Sequence, residues 1–273
     1  MAFLLSFCLA ATVGVAAPAP TIKDQLRDGW NAFRLEEYPH AAYAFEQAAK
    51  SLPAGSLDLR QAEFGLATTL AHRAPDPDRP GARTLFLKVA DGARDDLAAW
   101  SLLALARLLH VAPVGETIDM AAVRAAYQQV ITSFPDHPAA EEALIFQQST
   151  LVATLAPADA VAALARLTAF IARHPHAKFL SPAWSLIAEC ENSLKHPAAR
   201  LAAEIRALDT LEVDPTNPWM DKAWNYWRIA TIAEFEANEP STAKKFYSLL
   251  AREYPTDQRS YGAQQAIRRL GGR

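Results

Sequence analysis

Four prolines, Pro135, Pro175, Pro215 and Pro255, each stand 40 residues after the one before. A fixed period of roughly 20–50 residues marks a chain built from stacked repeat units. Other positions keep the same phase. Eight residues after the prolines stand Ala143, Ala183, Ala223 and Ala263. Twelve before them stand Val123, Ala163, Ala203 and Ala243; eight before, Tyr127, Leu167, Ala207 and Tyr247; five before, Val130, Phe170, Thr210 and Leu250. The earlier chain fits with small slips. Pro53 is preceded by Ala41, Phe45 and Ala48 at the same offsets, and Ala82, Phe86 and Val89 keep that spacing without a closing proline.

Each unit holds two apolar-periodic stretches with a break between them, such as AWSLLALARLLHV and MAAVRAAYQQVITSF. Apolar residues at three- and four-residue steps share one helical face. No Asn-Gly pair occurs, the two Asp-Gly pairs (Asp28–Gly29 and Asp91–Gly92) are not flanked by strand-like runs, and alternating β-branched runs are lacking. Asp159 and Ser241 stand where caps of second helices are expected. Two antiparallel helices approach closely where side chains are small, so the phased alanines mark helix contacts. One hairpin cannot bury its apolar face alone, whereas stacked hairpins bury a continuous core. The expected fold is therefore an all-α solenoid of about six helix hairpins closed by a C-terminal capping helix. The units run approximately 22–55, 56–94, 95–135, 136–175, 176–215 and 216–255, with the cap at 257–270.

Composition fits a folded chain, with 51% hydrophobic and 21% charged residues. A net charge of −3 gives no electrostatic footprint for nucleic acid. The first 20 residues, MAFLLSFCLAATVGVAAPAP, are uncharged. They read as an export signal over 1–17, with Val15 and Ala17 at the cleavage positions, and a short linker over 18–21. The run is short for a membrane span, which needs about 20 apolar residues, so no stable span is expected in the mature chain. Bulky Phe7 before Cys8 argues against a lipid anchor. Cleavage leaves Cys190 alone on an apolar helical stretch, a buried small hydrophobe rather than a nucleophile.

GWNAFRLEEYPHAAYAFEQAAKSLP, residues 29 to 53, resembles a tetratricopeptide repeat through Gly29, Tyr38, Ala41, Phe45, Ala48 and Pro53. The last full unit matches at Trp227, Ala243, Tyr247, Leu250 and Pro255. The resemblance covers the chain from about Ile22 to Leu270 and implies a right-handed solenoid. The linkers FPDHPAAEEA, DPTNPWMDKA and YPTDQRSYGA are similar to those of exported bacterial repeat proteins, the Tol–Pal-associated and outer-membrane-assembly types.

Chemistry-bearing motifs are sparse. No Gly-rich phosphate loop, Gly-x-Ser-x-Gly or His-Glu-x-x-His occurs. His174 and His176 flank Pro175 without ligand-spaced partners in sequence, so no metal, cofactor or catalytic residue is expected. Glu36–Glu37 and Glu141–Glu142 are adjacent pairs whose members point about 100° apart on a helix, placing them at a turn and in a helix's first turn. The aromatic cluster Trp219, Trp224, Tyr226 and Trp227, with Trp184 one repeat earlier, is either repeat packing or a binding surface.

In the resembling family the first helices line a concave groove. Carried over, Lys23, Trp30, Phe33 and Arg34 face it in the first unit, and Asn225, Arg228, Ile232 and Glu236 in the last. Trp, Phe and Arg suit interface hot spots. The expected function is a non-catalytic scaffold of the bacterial cell envelope, periplasmic, binding a protein or peptide in that groove. Two alternatives remain open. One is a cell-wall-associated glycan or ligand binder, or an enzyme, using the Trp219–Trp227 region; the other is a structural subunit of an envelope complex.

Overall fold

A proline bars the residue before it from the helical region, and the spaced prolines do this in the fold. In the computed structural model, which describes residues 21–113, 115–214 and 221–271, Phe134, His174 and Tyr254 each end a helix in the same non-helical conformation, with φ −137°, −125° and −128° and ψ 55°, 64° and 58°. Two turns follow each stop. His137, Ala177 and Asp257 donate their amides back to Phe134, His174 and Tyr254, and Ala140, Leu180 and Ser260 donate in turn to those three. The junctions are therefore copies of one another, and Pro215, the remaining marker, lies outside the described residues.

Thirteen helices and no strand occur among the described residues. They fall into two compact units divided between Val89 and Ala90. The first contains α1 (Ile22–Arg34), α2 (Tyr38–Lys50), α3 (Leu57–His72) and all but the last residue of α4 (Arg79–Ala90). The second contains α5 (Asp96–His110), α6 (Met120–Ser133), α7 (Pro138–Val152), α8 (Pro157–Arg173), α9 (Leu180–Ser193), α10 (Pro197–Asp209), α11 (Ala223–Phe235), α12 (Pro240–Glu253) and α13 (Ser260–Gly271). Successive helices pair as hairpins, and in the second unit first helices also pack on first helices, α5 on α7 and α7 on α9. This is the all-α, tetratricopeptide-like stack of hairpins that the repeat implies.

The turn inside a hairpin has its own rule. Glu36, Leu155, Lys195 and Asn238 take left-handed φ values of 60°, 58°, 61° and 54°. Each stands two residues before the next helix, and each of those helices has proline in its first two positions. Glu37 and His196 close the turn by donating to Ala32 and Glu191 at 2.9 Å, the Schellman closure of a helix end. The glutamate pairs sit in such places: Glu36–Glu37 in this turn, Glu141 in the first turn of α7.

The phased residues form the core. Ala143, Ala183, Ala223 and Ala263 are fully buried, as are the aliphatic and aromatic positions before each proline, with Thr210 only partly so. In the first unit the fit is tightest at Phe45, whose ring lies against both Gly29 and Gly65; a Cβ there would come within 2.8 Å and 2.4 Å of it. Two expected caps are corrected. Asp159 and Ser241 lie inside the first turns of α8 and α12, because the prolines start those helices earlier. Side-chain caps come instead from Thr21, Ser56, Asp95, Asp119 and His137. The export signal, the start of the linker and Cys8 lie outside the described residues. No described helix is long and apolar enough to cross a membrane.

Candidate functional site

In the first unit α1 presents its residues in two ways. Lys23 and Arg34 are exposed at its two ends, and Arg34 donates to Asn31. Trp30 and Phe33 are half-buried packing residues. Trp30 meets Phe45 edge-on at 5.1 Å and Phe33 at 5.8 Å, and Phe33 meets Tyr38 and His72 at 5.8 Å and 5.6 Å. The Phe45 ring fills the space that Gly29 and Gly65 leave, and Trp30 packs on that ring.

In the second unit α11 is enclosed by α10 and α12. Ile232, expected on the groove, is 2% exposed and belongs to the core. The reason is local: Ile229, Ile232 and Ala233 form a second apolar stripe beside Ala223, Tyr226 and Ala230, so α11 is apolar over most of its circumference. Asn225 is half-buried and Glu236 exposed.

Arg228 is the centre of a charge network joining α9, α10 and α11. It is ion-paired to Glu189 on α9 and, at 2.5 Å, to Glu204 on α10. Glu204 is 2% exposed. Burial pushes its carboxyl above the ordinary glutamate range, Arg228 pulls it back, and the neighbouring Glu189 raises it again. On the same side Arg200 of α10 donates to Asn192 Oδ1 at 3.1 Å and to Glu236 Oε2 at 2.6 Å. Sequence reasoning missed Arg200 and Glu204. A signal existed: Glu204 shares a helical face with Leu201 and Leu208, and a carboxylate in an apolar stripe requires a partner.

The aromatic cluster divides. Trp227 packs against Tyr247 at 5.6 Å, with Gly262 making room. Tyr226 is buried and donates to Glu253 Oε2 at 2.8 Å; burial pushes its hydroxyl up to about 12. Trp184 is partly buried in its repeat's core, and Trp219 lies outside the described residues. Trp224 alone among the described tryptophans is largely exposed, at 54%. The Arg259 guanidinium stands 5.5 Å from its ring, clamped by Asp257 through bonds of 2.8 Å and 2.6 Å.

Elsewhere the reactive residue types are in structural service. His174 stacks on Phe170 at 5.2 Å and lies 3.7 Å from Glu141, while His176 is exposed. Among the described residues no group of three or more His, Cys, Asp or Glu is arranged to hold a metal. Cys190 is buried, and that burial pushes its thiol up to about 11, far from the thiolate.

Stacked helix hairpins with phased alanine contacts and proline-stopped junctions define the class: this is a tetratricopeptide-like repeat protein. Among solved structures, PilW, described as a widely conserved type IV pilus biogenesis factor, aligns with a TM-score of 0.60 at 15% identity, over 89% of this chain and 98% of that one. The Cut9–Hcn1 hetero-tetramer of APC/C aligns with a TM-score of 0.55 at 14% identity, over 92% of this chain and 43% of that one. Such low identities carry the fold alone. No protein-family model matches the sequence, and no curated protein matches it.

Proposed function

We propose that the protein is a non-catalytic scaffold of the bacterial cell envelope that holds a protein or peptide partner against the first helices of its hairpins. The observation that carries this reading is the clamped Trp224–Arg259 pair. An exposed tryptophan fixed beside an arginine is a pre-ordered hot spot of the kind that protein interfaces use. Exposed Lys23 and Arg34 on α1, the first helix of the first unit, support the reading. The export-like N-terminus supports the envelope setting, as does the likeness in fold to a pilus biogenesis factor. Trp30, Phe33, Arg228 and Ile232 are engaged in packing or ion pairs, and Glu236 is paired with Arg200, so the candidate positions are Lys23 and Arg34 in the first unit and, separately, Trp224 and Asn225 in the second.

Site-specific photo-cross-linking in intact cells tests this. Probes at Lys23, Arg34 and Trp224 are compared with probes at Arg83 and Lys245, exposed on second helices. The expected result is one discrete adduct from the first-helix positions and none from the others. Equal labelling from both sets removes the assignment. A glycan-binding reading is favoured by one feature, the exposed face of Trp224, since indole rings stack on sugars. Quenching of tryptophan fluorescence by cell-wall fragments, lost in Trp224→Ala, would establish it instead.

A further inference from the structure

The end of the α5–α6 hairpin holds a cluster of titratable side chains that the binding surface does not use. His110, the last residue of α5, brings its Nδ1 within 3.0 Å of the hydroxyl of Tyr127 on α6. Tyr127 is fully buried. Burial pushes its hydroxyl up to about 12, so it keeps its proton. A buried hydroxyl hydrogen needs an acceptor, and the contact with His110 is the one hydrogen bond of that hydroxyl among the described residues. A neutral imidazole with its hydrogen on Nε2 supplies the acceptor at Nδ1, whereas an imidazolium has none. Tyr127 therefore donates to a neutral His110.

Three groups close over one ring. Phe146 of α7 is stacked on Tyr127 at 5.9 Å, with the planes 13° apart. The His110 ring meets Phe146 edge-on at 6.4 Å, and the Arg107 guanidinium stands 5.2 Å from its centroid. The charged residues of the three helices have other uses. On α5, Asp96 lies 3.4 Å from His137. On α6, Arg124 donates to Thr150 at 2.8 Å. On α7, Glu141 lies 3.7 Å from His174, and Glu142 is ion-paired to Arg107. In the connecting loop Asp119 caps α6 through Ala121 and Ala122, and Glu116 is exposed. The charge that shares a helical face with His110 is thus Arg107, three residues back, a cation. Burial lowers the His110 pKa from its ordinary 6.5.

We propose that His110 is an acid-released latch, which holds the α5–α6 hairpin closed over Phe146 while its ring is neutral and frees it when the ring takes up a proton. The added proton turns Nδ1 into a donor, so the Tyr127 hydroxyl hydrogen loses its acceptor inside the core. It also places a second cation beside Arg107. The last turn of α5 is the part free to move, since Leu109 and Val111 beside His110 are already 44% and 65% exposed. Release adds Phe146 to those two residues and widens an apolar surface. Because the folded chain resists this proton, the stability of the contact is complete above the ordinary pKa and is lost as pH falls towards the folded one. The latch is independent of what the scaffold binds.

The test follows the full protein by NMR from about pH 8 to about pH 5, the range in which histidine changes charge. His110→Gln assigns the His110 ring signal and keeps an acceptor for Tyr127 without a titrating group. In the parent the ring is expected to titrate below 6.5. Tyr127→Phe removes the donor that favours the neutral ring, so the midpoint is expected to rise; a histidine that was merely buried would not respond. Amide protection of residues 107–111, corrected for the intrinsic effect of pH on exchange, is expected to fall roughly tenfold in the parent across the range, the loss of one buried hydrogen bond. In His110→Gln it is expected to stay level. The proposal is overturned by a His110 midpoint at or above the ordinary value, by an unmoved midpoint in Tyr127→Phe, or by an equal fall in protection in the parent and His110→Gln. Circular dichroism checks the fold of both variants. If Tyr127→Phe fails to fold, the comparison of the parent with His110→Gln decides.

Discussion

At the scale of single residues, the fold depends on a few places where size or backbone sign is fixed. Gly65 lies against Phe45, a fully buried ring with no room to retreat. Alanine there would gain roughly 1 kcal/mol of helix propensity and lose about 1–3 kcal/mol to overpacking. Gly65→Ala is therefore expected to lower stability by up to about 2 kcal/mol in urea unfolding, more than Gly29→Ala, whose added carbon meets the ring 0.4 Å less closely (2.8 Å against 2.4 Å). Leu155 is the opposite case. It is 74% exposed and holds φ 58°, a conformation that costs an L-residue roughly 1–2 kcal/mol. Leu155→Gly is expected to raise stability by about 0.5–1 kcal/mol, the relief exceeding the extra chain entropy of glycine; an unchanged or lower urea midpoint would contradict this. Gly29 is visible in the sequence as the repeat's small residue. The left-handed turns are not, because Glu, Leu, Lys and Asn share no side-chain signal for them.

At the scale of elements, three helices are joined by a buried carboxylate and one guanidinium. Removing Arg228 leaves Glu204 buried beside Glu189 with no countercharge from α11, so Arg228→Met is expected to cost roughly 3 kcal/mol at neutral pH. The dependence on pH has a defined sign. The folded-state pKa of Glu204 lies above its ordinary value, so the folded chain holds that proton more tightly than the unfolded chain. The stability from this group is complete below the unfolded pKa and is lost as pH rises through the folded one. Exposed Glu253 and half-buried Asp257, both lowered by their arginine partners, act with the opposite sign and are unchanged in the variant. Glu204→Gln is therefore expected to gain stability relative to the parent as pH rises from about 4.5 towards neutral, and a difference independent of pH would refute the assignment. The penalty of Arg228→Met should shrink over the same range as pH falls, because a protonated Glu204 needs no partner. The hairpins themselves were legible from three- and four-residue apolar steps. The groove position of Ile232 comes from the family resemblance alone, and the second apolar stripe of α11 buries that residue instead.

At the scale of the molecule, stability is expected to be a sum of neighbouring helix contacts, as in other stacked repeats. The last helix then matters out of proportion to its length. Ala263, Ala266 and Leu270 of α13 complete the core formed with Tyr247 and Leu250, and Arg269 is bonded to Glu234 of α11 through both carboxylate oxygens. Its remaining face carries Tyr261, Gln264 and Arg268 towards solvent, as a cap should. Truncation after Pro255 is expected to cost a few kcal/mol, on the order of 2–4 from the lost apolar burial, and to expose Trp227 and Tyr247. Lower thermal stability together with binding of a hydrophobic dye would show it; an unaltered melting curve would mean that α13 is dispensable.

The repeat, the helix class and the positions of the core were determined by the sequence alone, because they rest on interactions within about 40 residues: helical periodicity, proline stops and small residues at fixed phase. Only the tertiary structure decided how the charged residues are used. Arg228, Glu204 and Glu189 come from three helices, as do His110, Tyr127 and Phe146. Whether an arginine faces a partner or a buried glutamate depends on which side chain the neighbouring helix places within a few ångströms. No spacing along one helix encodes that distance, so only the fold shows that Trp30, Phe33 and Ile232 pack and that Arg228 is ion-paired, while Trp224 is exposed.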